Sequence, residues 1–123
     1  MKKHIMFVDD DPQLLAALQN VFHRDRKRWD LVFAHGSDQA LAELARQRFD
    51  VVISDMQMPG CDGVELLERV RAASPTTRRI MLSGSASESE VLRATAAVDV
   101  LLGKPCDTKT LRATIEQELD RVV

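Results

Sequence analysis

Four short groups of residues hold the side chains best able to do chemistry: Asp9-Asp10-Asp11, Asp55, Ser83-Gly84-Ser85 and Lys104-Pro105. If the fold brings the carboxylates together they repel, and the usual relief is protonation or a bound cation. Hard oxygen donors with no His or Cys among them favour Mg2+ over zinc. Such an ion uses one or two carboxylates, which leaves another free as a nucleophile that can form an aspartyl phosphate. A lysine opposite would neutralise phosphoryl oxygens, and a serine hydroxyl would donate to one. The set reads as metal-assisted phosphoryl transfer to an aspartate. Taken singly, most members have simpler explanations. Asp11 before Pro12 suits a helix N-cap followed by Pro at the first helical position. Ser83 could be a loop-start hydroxyl, Lys104 a solvated lysine, and Gly103 and Pro105 turn punctuation. Adjacent acids such as Asp9 and Asp10 at a strand end have no such stabilising role, which marks them as a site.

These groups follow apolar runs that must position them. Five near-continuous apolar segments, at residues 4–8, 31–33, 51–54, 80–83 and 98–102, read as strands covered on both faces. Between and after them, helical spacing of apolar residues predicts helices over 12–23, 38–47, 63–73, 88–95 and 108–122. Ser87 with Glu90 forms a capping box for the fourth, and Asp107 can cap the fifth. Strand–helix alternation implies right-handed crossovers and a doubly wound, five-stranded parallel α/β sheet with five helices. In such sheets ligands sit beyond the carboxyl ends of the strands, where the strand order switches. Asp9-Asp10-Asp11, Asp55, Ser83 and Lys104 all stand at those ends.

Composition removes several classes of function. The 123 residues fit one domain, over 1–123, with no output domain expected in this chain. A net charge of −2 gives no global field toward nucleic acid or anionic lipid, and five aromatics with no Tyr cannot build a base-stacking platform. The basic run from Arg24 to Arg28 is expected to be a solvated loop. Cys61 and Cys106 lack a CxxC spacing and read as free thiols of a reducing compartment. No apolar run is long enough to span a membrane, and the stretch after Met1-Lys2-Lys3 stops at three aspartates. The expected setting is cytoplasmic.

The strings FVDDDP (7–12), DVVISDMQMPGCDG (50–63), RRIMLSGS (78–85) and LLGKP (101–105), in that order and spacing, resemble the CheY-like receiver domain of two-component response regulators. The likeness runs from about residue 4 to 120. It implies a flavodoxin-like fold and a phosphorelay switch in which Asp55 accepts a phosphoryl group from a histidine kinase or histidine phosphotransfer protein. Asp10 and Asp55 would touch Mg2+ (or Mn2+) directly, Asp9 through water, and Gln57 through its backbone carbonyl. Ser83 would follow the phosphoryl group, Gly84 would keep a small residue beside it, and Lys104 would pair with phosphoryl oxygens before a cis Lys104–Pro105 bond. Met58-Pro59-Gly60 and Gly63 would shape the loop after strand three, and Gln57 and Ser85 would set phosphoryl lifetime. Such a domain is not an enzyme beyond self-phosphotransfer and autodephosphorylation.

The resemblance also implies partners. Leu14 stands where an apolar residue of helix one meets the phosphodonor, although helical packing claims it equally. An output domain or separate effector would read the switch. The face of helix four, strand five and helix five would serve a homodimer, with Glu88, Glu90, Arg93, Asp99, Lys109 and Arg112 as candidate charges. Direct contact with nucleic acid or membrane is not expected. The wording around Asp55 and Ser83 is similar to receivers that precede HD-type output domains.

Three positions depart from the pattern. Leu101 replaces the usual Tyr or Phe, so there is no ring to rotate inward. Cys106 stands where Phe or Trp is common, and Ser83 replaces the commoner Thr. Two other functions compete with the switch. One is a receiver-like interaction module with a vestigial site, supported by Leu101. The other is a small Mg-dependent phosphohydrolase using Asp9-x-Asp11, which lacks both the expected residue at Gln13 and room for a cap domain.

Overall fold

A computed structural model describes residues 2–56, 58, 62–84 and 87–121. The elements alternate as expected: β1 (Lys3–Asp9), α1 (Pro12–Phe22), β2 (Trp29–His35), α2 (Ser37–Arg46), β3 (Val51–Asp55), α3 (Gly63–Ala73), β4 (Arg78–Ser83), α4 (Glu88–Ala97), β5 (Val100–Gly103) and α5 (Thr108–Leu119). A 3-10 turn, His23–Lys27, follows α1. The strands form one parallel sheet in the order β2-β1-β3-β4-β5, so the order switches between β1 and β3.

Alternation along each strand divides the core in two. Met6, Val8, Val52 and Met81 join Ala40, Val64, Leu67, Val70, Ala94 and Ala97 in the cluster under α2, α3 and α4. Ile5, Phe7, Ile53, Ile80 and Leu82 join Leu15, Leu18, Phe22, Leu111 and Ile115 under α1 and α5. Phe7 is 1% exposed and stacks on Phe33 with ring centroids 5.1 Å apart. Burying a side chain of that size stabilises by about 2–3 kcal/mol, and here it anchors β1 two residues before Asp9.

The helix starts carry the expected caps. The Asp11 carboxylate accepts from the Gln13 amide at 3.0 Å, with Pro12 opening α1. Ser87 Oγ accepts from the Glu90 amide and also meets its carboxylate, and Asp107 accepts from the Thr110 amide at 2.7 Å. Asp62 caps α3 by accepting from the Glu65 amide at 2.9 Å, with Glu65 at the same spacing from it as Glu90 from Ser87.

Element ends differ from expectation where tertiary pairing overrides local pattern. β2 extends beyond 31–33 because it pairs with β1 over its full length, from Lys3–Trp29 to Asp9–His35. α4 runs to Ala97 rather than 95, so β5 begins at Val100 and not 98. The Asp99 carboxylate in between accepts from the Arg79 amide.

The basic run is not a plain solvated loop. Asp25 within it is 4% exposed and receives Arg28 at 2.9 Å and Arg112 of α5 at 3.1 Å. A buried carboxylate needs such cations, and Arg112 lies 87 residues away, beyond any local reading. Among the described residues, no helix is long and apolar enough to cross a membrane.

Candidate functional site

β1 and β3 are neighbours in register, with the last pair at Val8–Ser54. One step further, the terminal residues of both strands, Asp9 and Asp55, lie side by side at the switch in strand order. By alternation both share the face of Phe7 and Ile53. Asp10 follows directly in the chain. One carboxylate oxygen from each of Asp9, Asp10 and Asp55 can be chosen so that all lie within 4.8 Å of one another. β5 delivers the cation: Lys104 Nζ donates to Asp55 Oδ1 at 2.8 Å and lies 4.0 Å from Asp9 Oδ2. The Lys104 amide is held by the Ser83 carbonyl at 2.7 Å, which ties the β4 and β5 ends together, and the Lys104–Pro105 bond is cis.

Burial is the largest influence on Asp9 and raises its carboxyl above the ordinary value. The Asp11 amide, which donates to Asp9 Oδ1 at 2.9 Å, opposes this. The neighbouring Asp55 charge raises it and the Lys104 charge lowers it. The site thus holds more negative charge than its own lysine neutralises. A Mg2+-type ion fits that arrangement, since three hard oxygens converge and a dication would relieve the strain that burial places on Asp9. Gln57 and Ser85 lie outside the described residues, as do Pro59, Gly60 and Cys61.

Ser83 is 8% exposed, and its hydroxyl donates to Met56 Sδ at 3.2 Å. Met56 follows Asp55 and is fixed by its backbone: its amide donates to the Leu82 carbonyl and its carbonyl accepts from the Gly63 amide, both at 3.0 Å. Gly63 lets α3 start directly against the end of β3. A Cβ there would overlap the Asp55 carbonyl oxygen and lie 3.0 Å from Met56 Cα. Gly36, at φ +87°, donates its amide to the Asp9 carbonyl at 2.9 Å. Gly36 and Met56 were not singled out from sequence. An isolated glycine after a strand was the only signal for the first, and the second had none.

Leu101 pairs in register with Met81 and packs, partly buried, against the cluster that includes Ala94 and Ala97 of α4. Leu14 is partly buried against the α1/α5 cluster. It also lines a groove of about 430 Å³ with Leu18, Leu82, Lys104, Pro105 and Cys106. Its two expected roles, packing and surface, therefore meet at one place. Cys106 is a free thiol whose pKa is raised by burial and by the Asp107 charge.

The candidate charges on the α4–β5–α5 face are largely engaged within the chain. Arg93 pairs with Asp62, Asp99 with Arg78 and Arg79, and Arg112 with Asp25. The apolar side chain of Leu92 is 67% exposed on α4. The side chain of Glu88 lies outside the described set.

The family model described as the response regulator receiver domain matches residues 5–116. The transcriptional regulatory proteins TrcR of Mycobacterium tuberculosis and GlrR of Escherichia coli are 30% and 31% identical over 95% and 96% of this chain. The chain spans 45% and 26% of the lengths of those two relatives. The signal receiver domain of an HD domain-containing protein from Pseudomonas fluorescens Pf-5 matches with a TM-score of 0.90 at 31% identity, covering 98% of this chain and 96% of that one. A CheY-like receiver domain protein from Methanospirillum hungatei matches at 0.89 and 26% identity, over 98% and 95%.

Proposed function

The chain belongs to the response regulator receiver family, whose general function is phosphorelay switching, and from that premise we propose that Asp55 is its phosphoacceptor. The observation that carries this reading is the meeting of Asp9, Asp10 and Asp55 at one strand edge, with Lys104 Nζ 2.8 Å from Asp55 Oδ1. An Asp55 carboxylate oxygen attacks the phosphorus of a phosphohistidine. A P–O bond forms, the P–N bond breaks, and its electron pair leaves with the imidazole. Lys104 exchanges its bond to Asp55 for one to a phosphoryl oxygen, which offsets the charge that arrives. The Ser83 hydroxyl turns to donate to another. Asp9, Asp10, Asp55 and the Gln57 backbone carbonyl would hold Mg2+ or Mn2+, which when bound neutralises phosphoryl charge. Attack by water on the phosphorus later releases inorganic phosphate and restores the carboxylate.

The phosphodonor, a histidine kinase or phosphotransfer protein, would dock over the Leu14 groove, which opens beside Lys104. The exposed Leu92 recommends the α4–β5–α5 face for an effector, an output domain or a second copy of the chain. The retained acids and Lys104 favour a working switch over a vestigial module. Leu101 leaves no ring at the position where the family's usual Tyr or Phe would rotate inward. The test is incubation with acetyl phosphate and Mg2+ followed by intact-mass measurement. One phosphoryl adduct is expected on the wild type and none on Asp55→Asn. No adduct on the wild type, or an equal one on the variant, would overturn the reading.

A further inference from the structure

We infer that Met56 is a positioning residue: its thioether holds the Ser83 hydroxyl away from Asp55 in the resting state and so sets how readily the switch is thrown. This deepens the phosphoacceptor reading and rests on it. The Ser83 side chain is 8% exposed, so its hydroxyl depends on the protein for a partner, and it donates to Met56 Sδ at 3.2 Å. The sulfur cannot drift far. Met56 is itself 5% exposed, and its amide and carbonyl are bonded to Leu82 and Gly63 on either side. Its place immediately after Asp55 puts the holder and the phosphoacceptor on one rigid strand end.

A thioether is a weak acceptor and a phosphoryl oxygen a strong, charged one. When the phosphoryl group arrives, Ser83 exchanges O–H···S for O–H···O, so the exchange runs downhill. The sulfur is strong enough to satisfy a buried hydroxyl at rest and too weak to compete afterwards. Leu101 has no hydroxyl or ring with which to track the position of Ser83, which leaves Met56 as the resting partner the structure shows. Met56 belongs to the same buried cluster as Ala94 and Ala97 of α4.

The test uses beryllofluoride with Mg2+ as the phosphoryl mimic and reads its apparent affinity by NMR titration. Met56→Leu keeps the volume and removes the acceptor, which penalises the resting state and leaves the anion-bound state untouched. Affinity should tighten about two- to tenfold, the range expected for one net hydrogen bond. In the Ser83→Ala background the same substitution should change affinity by less than about 1.5-fold, because there is no hydroxyl to hold. In the wild type, the Met56 methyl resonance should shift on beryllofluoride addition, and that shift should shrink in Ser83→Ala. This last measurement is independent of how well the Met56 variant folds. No tightening, or tightening that persists without Ser83, would overturn the role of Met56 while leaving Asp55 as phosphoacceptor. Failure of the wild type to bind beryllofluoride at all would overturn both.

Discussion

Replacing Gly63 with Ala tests whether the approach of α3 to the end of β3 is as rigid as the packing implies. The added Cβ would overlap the Asp55 carbonyl oxygen and sit 3.0 Å from both the Asp55 carbonyl carbon and Met56 Cα. These are backbone atoms, so no side chain can swing aside. The strand side is pinned: the Asp55 carbonyl accepts from Ser54 Oγ at 2.9 Å, and the Met56 amide is bonded to Leu82. The helix side is pinned too, because Val64, Leu67 and Val70 are fully buried. Overpacking of this kind costs about 1–3 kcal/mol. Against it stands the better helix propensity of alanine, at most about 1 kcal/mol and less at a helix start. The overlap should win by about 1–2 kcal/mol, which for a domain of this size lowers Tm by about 3–10 °C. If the strand gives way instead and Asp55 moves by about 1 Å, phosphorylation should slow by on the order of 100-fold. A thermal melt and an intact-mass time course with acetyl phosphate together read both routes. Gly103→Ala is the control: an added Cβ there meets nothing within 4 Å, so it should stay within about 0.5 kcal/mol of the wild type. A Gly63→Ala protein that melts and phosphorylates like the wild type would refute the rigid contact.

Two further outcomes concern charge. Burial first, then the Asp55 charge, hold the Asp9 carboxyl above its ordinary value against the pull of the Asp11 amide and Lys104, so folding disfavours its ionised form. That cost is present at neutral pH and is relieved as pH falls through the raised value. Asp9→Asn should therefore raise Tm in metal-free buffer. It should also lose most of the gain that Mg2+ gives the wild type, about 2.7 kcal/mol at a hundredfold excess over Kd. Equal Mg2+ responses in calorimetry would remove Asp9 from the cation site. Asp62 has the opposite sign. Burial pushes its carboxyl up, but the Glu65 amide and the Arg93 guanidinium pull it down further, to a net value below the ordinary one. Its contribution is present above the unfolded value of about 3.9 and fades as pH falls through the depressed folded one. Asp62→Ala should cost about 1 kcal/mol at pH 7, mostly as a lost N-cap because the ion pair is half exposed, and the difference should narrow in urea titrations as pH falls below the ordinary carboxylate value. A gap that stays constant with pH would assign the loss to packing instead.

The sequence by itself determined the class of fold and the site carboxylates. Near-continuous apolar runs, capping residues and helical spacing are local signals, and backbone hydrogen bonding leaves few other ways to satisfy them. The same pattern sets Asp9, Asp55 and Lys104 at the carboxyl ends of strands, the edge where such sheets bind ligands. Element ends were less legible. β2 gained residues because a strand lengthens wherever its neighbour offers pairing partners, and no window of sequence contains both strands.

What only the tertiary structure decided are contacts between residues far apart in the chain. Ser83 parks its hydroxyl on the Met56 sulfur across 27 residues, and buried Asp25 is paired by Arg112 of α5, 87 residues away, as well as by its neighbour Arg28. Gly63 is required because α3 turns back onto the Asp55 carbonyl, a distance set by the burial of Val64 and Leu67. Residue type announces what chemistry a group can do. Whether a buried polar group is satisfied, and by which partner, depends on packing, because desolvation is settled by whatever the fold brings within hydrogen-bond reach.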